Sequence, residues 1–152
     1  MKKFFSFLAA AVMLCATSCS KSDDFDDEPE IPQPANEIWY TSSDGSVVTP
    51  YKTNGFGANI ISNTYKNGKG VIKFDGNVTT IGESAFYRCS LLTGITIPNG
   101  VTTIGESSFY QCTALKNIQL PDSLTAIMVN AFYGCSSLEN INLPNTLKNI
   151  GG

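Results

Sequence analysis

Residues 78–100 of this 152-residue chain read VTTIGESAFYRCSLLTGITIPNG. A near copy, VTTIGESSFYQCTALKNIQLPDS, occupies 101–123, and a third copy, LTAIMVNAFYGCSSLENINLPNT, occupies 124–146. The opening of a fourth copy begins at Leu147, and the offset is 23 residues each time. Separate Phe, Cys and Pro columns keep this one spacing, so it is not a chance similarity. A fixed period of this length predicts a solenoid, in which stacked repeats share one continuous core.

Each repeat contains three kinds of segment. The L-x-x-I-x-I pattern at 92–97 alternates apolar residues near its end, which predicts a strand with one buried face. Proline follows at once and ends the strand, because it has no N–H to give to a ladder. The V-x-x-I pattern at 78–81 predicts a second short extended segment, and residues 83–89 predict about two helical turns. The inward side chains of those turns are expected to be Ala85, Phe86 and Cys89.

The repeat pattern V-x-x-I-G-x-x-A-F-x-x-C-x-x-L-x-x-I-x-I-P resembles the BspA-like (Treponema pallidum-type) leucine-rich repeat over roughly residues 69–152. The resemblance implies a β-rich solenoid with three complete 23-residue units and a truncated fourth over residues 78–152. It also implies a bacterial surface protein, because some members of the family are adhesins for host matrix proteins or for other bacteria. One departure is Met128-Val129, where the other copies carry Gly-Glu, so the pattern does not establish a left-handed backbone at Gly82 and Gly105.

Residues 37–77 precede the repeats and predict an N-terminal β-hairpin cap over the first coil. A turn signal at 42–45 predicts one hairpin between 37–41 and 47–51, and Lys66-Asn-Gly-Lys69 predicts a second between 58–65 and 70–74. The single tryptophan, Trp39, is expected to pack within this cap rather than to contact a ligand. The last strand of the cap is expected to be in register with the repeats, because three of its apolar residues lie 23 positions before Ile95, Ile97 and Val101. Those three residues are Ile72, Phe74 and Val78.

Residues 1–18 have the features of a signal peptide: Lys2-Lys3, an apolar stretch at 4–15 and small residues at 16–18. The apolar stretch is too short to span a bilayer. Residues 16–19 resemble a bacterial lipobox, which implies that Cys19 is diacylated and attaches the protein to a membrane. Cys15 is a competing acceptor, and an ordinary secretory signal cut near Ser18 is the alternative.

Residues 19–36 predict an extended tether that is acidic first and proline-rich at its end. Its acidic residues resemble the surface-export signal of Bacteroides-type lipoproteins, which implies an outer-membrane protein exposed on the cell surface. The alternatives are a plain spacer and a lipoprotein that faces the periplasm. The residues that fit the export signal are Asp23, Asp24, Asp26 and Asp27.

The composition argues against several functions. The chain has no histidine, which removes the usual catalytic triads and imidazole metal ligands, and it has no phosphate-binding glycine motif. Three of ten basic and six of thirteen acidic residues precede Ile31, so the remainder holds seven of each. A neutral body predicts no nucleic-acid partner. We therefore expect no enzyme activity, no cofactor and no metal.

One cysteine of each repeat falls in a single column, at Cys89, Cys112 and Cys135. Stacked repeats bring such thiols within disulfide distance, but parallel side chains and an odd count argue against bonding. Zinc would lack its usual ligand spacing. We therefore expect unreactive core thiols.

Two surfaces remain as candidate binding sites. The polar strand positions form a face of the kind that solenoids use for extended binding, although a merely solvated face is the alternative. A column of tyrosines could contact sugars or proteins, or could simply pack between repeats. These surfaces predict a macromolecule-binding module, and the resemblance to the family implies an adhesin-like one for a host matrix protein or another bacterial surface protein, with a glycan as a further possible ligand. The alternatives are a structural envelope lipoprotein without a ligand and a glycan-capture lipoprotein, which would need aromatic residues exposed in a cleft. The polar face comprises Thr93, Thr96, Lys116, Asn117, Gln119, Glu139, Asn140 and Asn142, and the tyrosine column comprises Tyr87, Tyr110 and Tyr133.

Overall fold

The computed structural model describes residues 32–151, which belong to one compact unit. The predicted signal peptide, Cys19 and the four acidic residues between Asp23 and Asp27 lie outside the described residues. Within them no helix has the length and apolarity needed to cross a membrane. Ten strands are formed: β1 (Glu37–Ser42), β2 (Ile60–Lys66), β3 (Lys69–Phe74), β4 (Thr80–Ile81), β5 (Leu92–Thr96), β6 (Thr103–Ile104), β7 (Asn117–Gln119), β8 (Ala126–Ile127), β9 (Asn140–Ile141) and β10 (Asn149–Ile150).

The strands form two sheets, and the parallel part of each sheet follows the 23-residue period. One sheet has the order β2-β3-β1-β5-β7-β9, and the other has the order β4-β6-β8-β10. Neighbouring coils pair in register, as Gly94 with Asn117 and Asn117 with Asn140. Each coil therefore gives one strand to each sheet, and the predicted leucine-rich repeat solenoid is confirmed.

The core consists of columns of identical side chains. Phe86 and Phe109 stack with ring centroids 5.3 Å apart and planes 5° from parallel, and Phe109 stacks on Phe132 at 5.3 Å and 3°. Leu92 and Leu115 are fully buried beside them. A single repeat could not bury this face, so the neighbouring coils stabilise one another.

The segment predicted to be helical is a run of turns, and that prediction is wrong. Ser84 and Arg88 have positive φ angles of 56°, and the equivalent positions of the next two repeats are also positive. The N–H groups of residues 84, 86 and 88 donate to carbonyls of the next coil at 2.7–2.9 Å. An α-helix would use its N–H groups internally, four residues back. Ala85 and Phe86 are nevertheless fully buried as expected, and Cys89 is half-buried.

The cap contains one of the two predicted hairpins. Strands β2 and β3 pair across Asn67 and Gly68, whose φ angles of 51° and 79° fit a two-residue hairpin turn. Strand β1 then lies antiparallel between β3 and β5. Ile72, Phe74 and Val78 are buried as their spacing suggested. However, β3 does not join the parallel ladder as predicted, because β1 takes the position beside β5.

The first predicted hairpin does not form. Both edges of β1 are occupied by β3 and β5, so residues 47–57 run over the first coil instead. The Tyr51 N–H donates to the Ala85 carbonyl at 2.8 Å, and the Phe56 carbonyl accepts from Thr79 at 3.0 Å. Phe56 is fully buried, with its ring centroid 6.0 Å from that of Phe86. This irregular segment covers the first coil where a further repeat would otherwise lie.

One detail of the sequence analysis needs correction, and the structure defines the backbone at two glycines whose conformation the sequence left open. The end of the predicted tether is ordered, because the Gln33 amide donates to the Thr96 carbonyl at 3.1 Å and the Ala35 carbonyl accepts from Val78 at 2.9 Å. Gly82 and Gly105 are not left-handed. Their role is close approach of two backbones, since a Cβ on Gly105 would lie 2.7 Å from the Glu83 nitrogen of the preceding coil and one on Gly82 would lie 2.7 Å from the Gly55 carbonyl oxygen of the covering segment.

Candidate functional site

The outward face of the six-stranded sheet carries the polar residues singled out in the sequence. Successive side chains of a strand point to opposite faces, so the buried Ile95 and Ile118 leave their neighbours outside. Thr96 pairs with Gln119, and Asn117 pairs with Asn140. All eight candidates lie on β5, β7 and β9 or directly beside these strands. Thr93 and Thr96 are half-buried, and the exposed ones are Lys116, Asn117, Gln119, Glu139, Asn140 and Asn142.

A cleft of about 630 Å³ lies on this face, where the cap meets the first two coils. Gly94 has no side chain and lies between Thr41 of β1 and Asn117 of β7. It therefore forms a low point between two rows of taller side chains. The lining residues are Trp39, Tyr40, Thr41, Lys69, Gly94, Ile95, Thr96, Asn117, Ile118 and Gln119.

Trp39 is fixed in this cleft by polar contacts. It lies in the cap as expected, but it is half-buried on the outer face and not part of the hydrophobic core. Its Nε1–H donates to Glu37 Oε2 at 2.8 Å, and Lys69 Nζ lies 3.0 Å from the ring centroid. A cation over an indole face is a favourable contact. The indole therefore has one orientation and one charged neighbour.

Charge in the cleft is unbalanced in favour of the cation. Glu37 Oε1 already pairs with Lys73 Nζ at 3.0 Å. Burial raises the pKa of Glu37, but the hydrogen bonds from Trp39 and Lys73 outweigh it and hold that pKa below its ordinary value. Among residues 32–151, no carboxylate lies within ion-pair distance of Lys69. The cleft therefore presents an ammonium group, an indole, amides and hydroxyls.

The repeats match a known family. A family model, described as the BspA type leucine rich repeat region, matches residues 54–152 in six copies. The chain belongs to the BspA-type leucine-rich repeat family. This assignment agrees with the resemblance drawn from the repeat pattern, and it extends the matched region into the cap.

Three solved leucine-rich repeat proteins are similar to this chain. The one from Treponema pallidum is 40% identical over 52% of this chain, with a TM-score of 0.51, and the match spans 37% of that protein. The one from Bacteroides ovatus is 42% identical over 58% of this chain and 21% of its own, with a TM-score of 0.49. The one from Bacteroides capillosus is 29% identical over 78% of this chain and 85% of its own, also with a TM-score of 0.49. No match to a curated protein is found.

The tyrosine column of the leucine-rich repeats forms a continuous stack. Tyr110 lies between Tyr87 and Tyr133, with ring centroids 5.0 and 5.1 Å away, and Tyr51 extends the stack beyond Tyr87 at 5.4 Å. The two faces of the Tyr110 ring are therefore occupied by other tyrosines. Tyr133 is 59% exposed, with Tyr110 on one side. The stack stabilises the turns, and its two inner rings, Tyr87 and Tyr110, have tyrosine neighbours on both sides.

The cysteine column of the leucine-rich repeats consists of free thiols. The Cys112 and Cys135 thiols donate to the Phe86 and Phe109 carbonyls at 2.9 and 3.1 Å. Burial raises the pKa of all three, to about 11 for Cys89. A raised pKa suppresses the reactive thiolate, in agreement with the prediction of structural thiols. In residues 32–151 no group of three or more Cys, Asp or Glu side chains is arranged to hold a metal ion.

Sequence reasoning located the polar rows but missed the cleft. Trp39 and Lys69 lie 55 and 25 residues before Gly94 in the chain, and only the insertion of β1 beside β5 brings them to it. One signal was present in the sequence. Gly94 interrupts a column that continues as Asn117 and Asn140, and a missing side chain in a polar column marks a depression in the surface.

Proposed function

We propose that the chain is a lipid-anchored, surface-displayed module that binds a protein partner through the outward face of its six-stranded sheet. The partner class is a host matrix protein or another bacterial surface protein. Leucine-rich repeats are in general protein-binding scaffolds, and this supports the proposal at the level of the family.

The rigid polar face is the observation that carries the proposal. The parallel pairing fixes Thr96 beside Gln119 and Asn117 beside Asn140, so the polar side chains keep a set spacing. The backbones of β5 and β7 are held on both sides by neighbouring strands and that of β9 on one side, so little ordering entropy is lost when a partner binds. Amide and hydroxyl side chains can donate and accept, which suits the polar surface of a folded protein.

Anchoring and export explain how this face would reach a partner. Cys19 is the proposed acceptor of the lipid, and the acidic residues after it are the proposed signal for surface display. The residues that the structure describes begin at Pro32. The residues between Cys19 and Pro32 would then separate the binding face from the membrane.

The binding test uses the full-length chain immobilised on beads against a panel of matrix proteins. Asn117→Ala combined with Gln119→Ala removes two side chains from the face, and we expect at least a tenfold loss of affinity. The control is Thr113→Ala combined with Asp122→Ala, because both residues are exposed in the same coil but lie off the sheet. Saturable binding that both double variants retain equally would exclude this face.

The anchoring test follows radiolabelled palmitate. Cys19→Ala should abolish labelling and release the protein from membranes, whereas Cys15→Ala should leave both unchanged. Replacing Asp23, Asp24, Asp26 and Asp27 with Ala should keep the label but protect the protein from protease added to whole cells. Equal digestion of both forms would argue against the export signal.

A further inference from the structure

We propose that the cleft at Gly94 is a binding site for a carboxylated sugar unit of the uronic acid type. This ligand class goes beyond the protein partner proposed above, although the cleft lies on the same face. The site consists of Trp39, Lys69 and Thr41 on the cap side and Asn117 and Gln119 on the repeat side.

The shape of the cleft is built by one glycine. The volume of about 630 Å³ lies in the range of small-molecule sites. A Cβ on Gly94 would lie 2.8 Å from Thr41 Oγ1, so any larger residue there would reduce this space. Gly94 does not have a positive φ, and its backbone conformation therefore does not require glycine. The structural role of Gly94 is therefore to leave open space in the cleft.

The lining chemistry matches a sugar ring. Pyranose rings present C–H groups on one face and hydroxyls at their edge, so they need an aromatic surface beside groups that donate and accept. Trp39 supplies the part of its half-buried indole that Lys69 leaves uncovered, and its hydrogen bond to Glu37 holds that ring in place before any ligand arrives. The amides of Asn117 and Gln119 and the hydroxyls of Thr41 and Thr96 can each donate and accept.

The charge selects a carboxylate. Lys69 holds its ammonium against the indole face, and Glu37, the nearby acid, is already paired with Lys73. An anion entering the cleft would meet an ammonium group that lies within ion-pair distance of no carboxylate of residues 32–151, although its charge contributes to the lowered pKa of Glu37. A hydrogen bond between an ammonium and a carboxylate is about twice as strong as a neutral one.

An acidic peptide fits the same charge less well. Strands β1 and β5 are paired on both sides, so the floor of the cleft offers no free backbone edge to which a peptide strand could add. The ligand must be held by side chains alone, and a ring with many hydroxyls can use more of these amides and hydroxyls than an extended peptide can.

The test uses the full-length chain, because Trp39 is its single tryptophan and its fluorescence reports on the cleft directly. The probes are digalacturonic acid, neutral digalactose and a hexaglutamate peptide. We expect a saturable fluorescence change with digalacturonic acid and at least a tenfold weaker response to digalactose. Lys69→Met should remove that preference, because it keeps the apolar stem and loses the charge.

Two matched controls complete the experiment. Lys66→Met removes a neighbouring exposed charge that does not line the cleft, and it should bind normally. Gly94→Asn should abolish binding, whereas Gly76→Asn, where a Cβ meets only Ala58 at 3.6 Å, should not. Thermal melts of each variant verify that it is folded.

Three outcomes would overturn the proposal. They are a response to the peptide but not to the sugar, equal losses in Lys69→Met and Lys66→Met, and an absence of any response. None of these outcomes affects the proposed protein partner, which is measured separately by the pull-down with the Asn117 and Gln119 variant. An absence of saturable protein binding by the unsubstituted chain, with sugar binding present, would in turn overturn only the proposed function.

Discussion

The middle coil and the last complete coil have nearly the same core sequence but different burial. Phe109 and Leu115 are fully buried in the middle coil, whereas Phe132 and Leu138, 23 residues later, are half-buried. Ile104 is fully buried, and Ile150, two repeats on, is 62% exposed. The side chains are alike, so the difference comes from the number of neighbouring coils.

This difference shows that the core side chains of a repeat are buried only in part by their own coil and in part by the neighbouring coils. At the other end of the stack the core side chains Phe86 and Leu92 of the first coil are fully buried, because Phe56 and β1 occupy the place of a preceding coil. The interfaces between neighbouring coils stabilise the folded chain, as expected for a nearly one-dimensional array of repeats. The same substitution should therefore have different effects in different coils.

The largest expected effect is that of Phe109→Ala. Phe109 is stacked on both faces, and truncating such a residue typically costs about 3–5 kcal/mol. That loss is comparable to the stability of a small domain, so the variant should be largely unfolded at room temperature. Phe132→Ala, with one stacked neighbour and a half-buried ring, should cost about 1–2 kcal/mol.

Urea melts followed by circular dichroism would measure both losses. Phe109→Leu is the control that keeps an apolar group of similar length, and it should fall between the wild-type chain and Phe109→Ala. Equal losses for Phe109→Ala and Phe132→Ala would mean that the repeats are stabilised within each coil.

A smaller contrast is expected in the tyrosine stack. Tyr110→Ala removes two stacked contacts and should cost about 1–3 kcal/mol, because each aromatic pair contributes roughly 0.5–1.5 kcal/mol. Tyr133→Ala removes one such contact and should cost about half as much. The midpoints of thermal unfolding would rank the two variants. A Tyr110→Ala variant as unstable as Phe109→Ala would place the tyrosines in the core.

Ser108→Ala should stabilise the chain. Ser108 is fully buried in the middle coil, and its hydroxyl has no hydrogen-bond partner among residues 32–151, whereas Ala85 and Ala131 take the equivalent position in the adjacent coils. Burying an unsatisfied hydroxyl costs about 1 kcal/mol or more. Removing the hydroxyl should raise the free energy of unfolding by about that amount, and the midpoint of thermal unfolding should rise with it. A lower midpoint would show that the hydroxyl has a partner, such as a buried water molecule.

The smallest effect concerns pH and the cap. The folded-state pKa of Glu37 lies below its ordinary value of 4.5, so the ionised carboxylate stabilises the folded state above that pH. This contribution is lost as pH falls from 4.5 through the lower folded pKa. Trp39 fluorescence should change over that range, because Glu37 accepts the indole hydrogen bond. Glu37→Gln should remove this pH dependence, and a titration unchanged in that variant would assign it to another group.

The 23-residue period and the columns of inward-facing side chains could be predicted from the sequence because the same pattern recurs in every repeat. The second hairpin was equally accessible, since Asn67-Gly68 is a local turn signal. The helix was mispredicted because the sequence of residues 83–89 suits two structures. Ser84 and Arg88 adopt left-handed backbone without glycine, and hydrogen bonds to the next coil favour that choice over a helix.

The cleft could not be predicted because it depends on a pairing between distant strands. No local sequence signal shows that β1 inserts between β3 and β5. None shows either that residues 47–57 cover the first coil instead of pairing with β1 in a hairpin. The polar row on β5 and β7 was visible from alternation alone. Trp39 and Lys69 lie beside this row on the cap side, and their position there follows only from the pairing of Trp39 with Thr96.

The turns that replace the predicted helix divide the amides of a coil into two classes for hydrogen exchange. Ala85, Tyr87 and Cys89 bond within their own turns, whereas the N–H groups of residues 84, 86 and 88 bond to the next coil. Among the described residues, the equivalent amides at 130, 132 and 134 have no backbone acceptor. Exchange at every second amide should therefore report whether the following coil is in place, so the pattern of deuterium uptake would follow the stack as it frays one coil at a time.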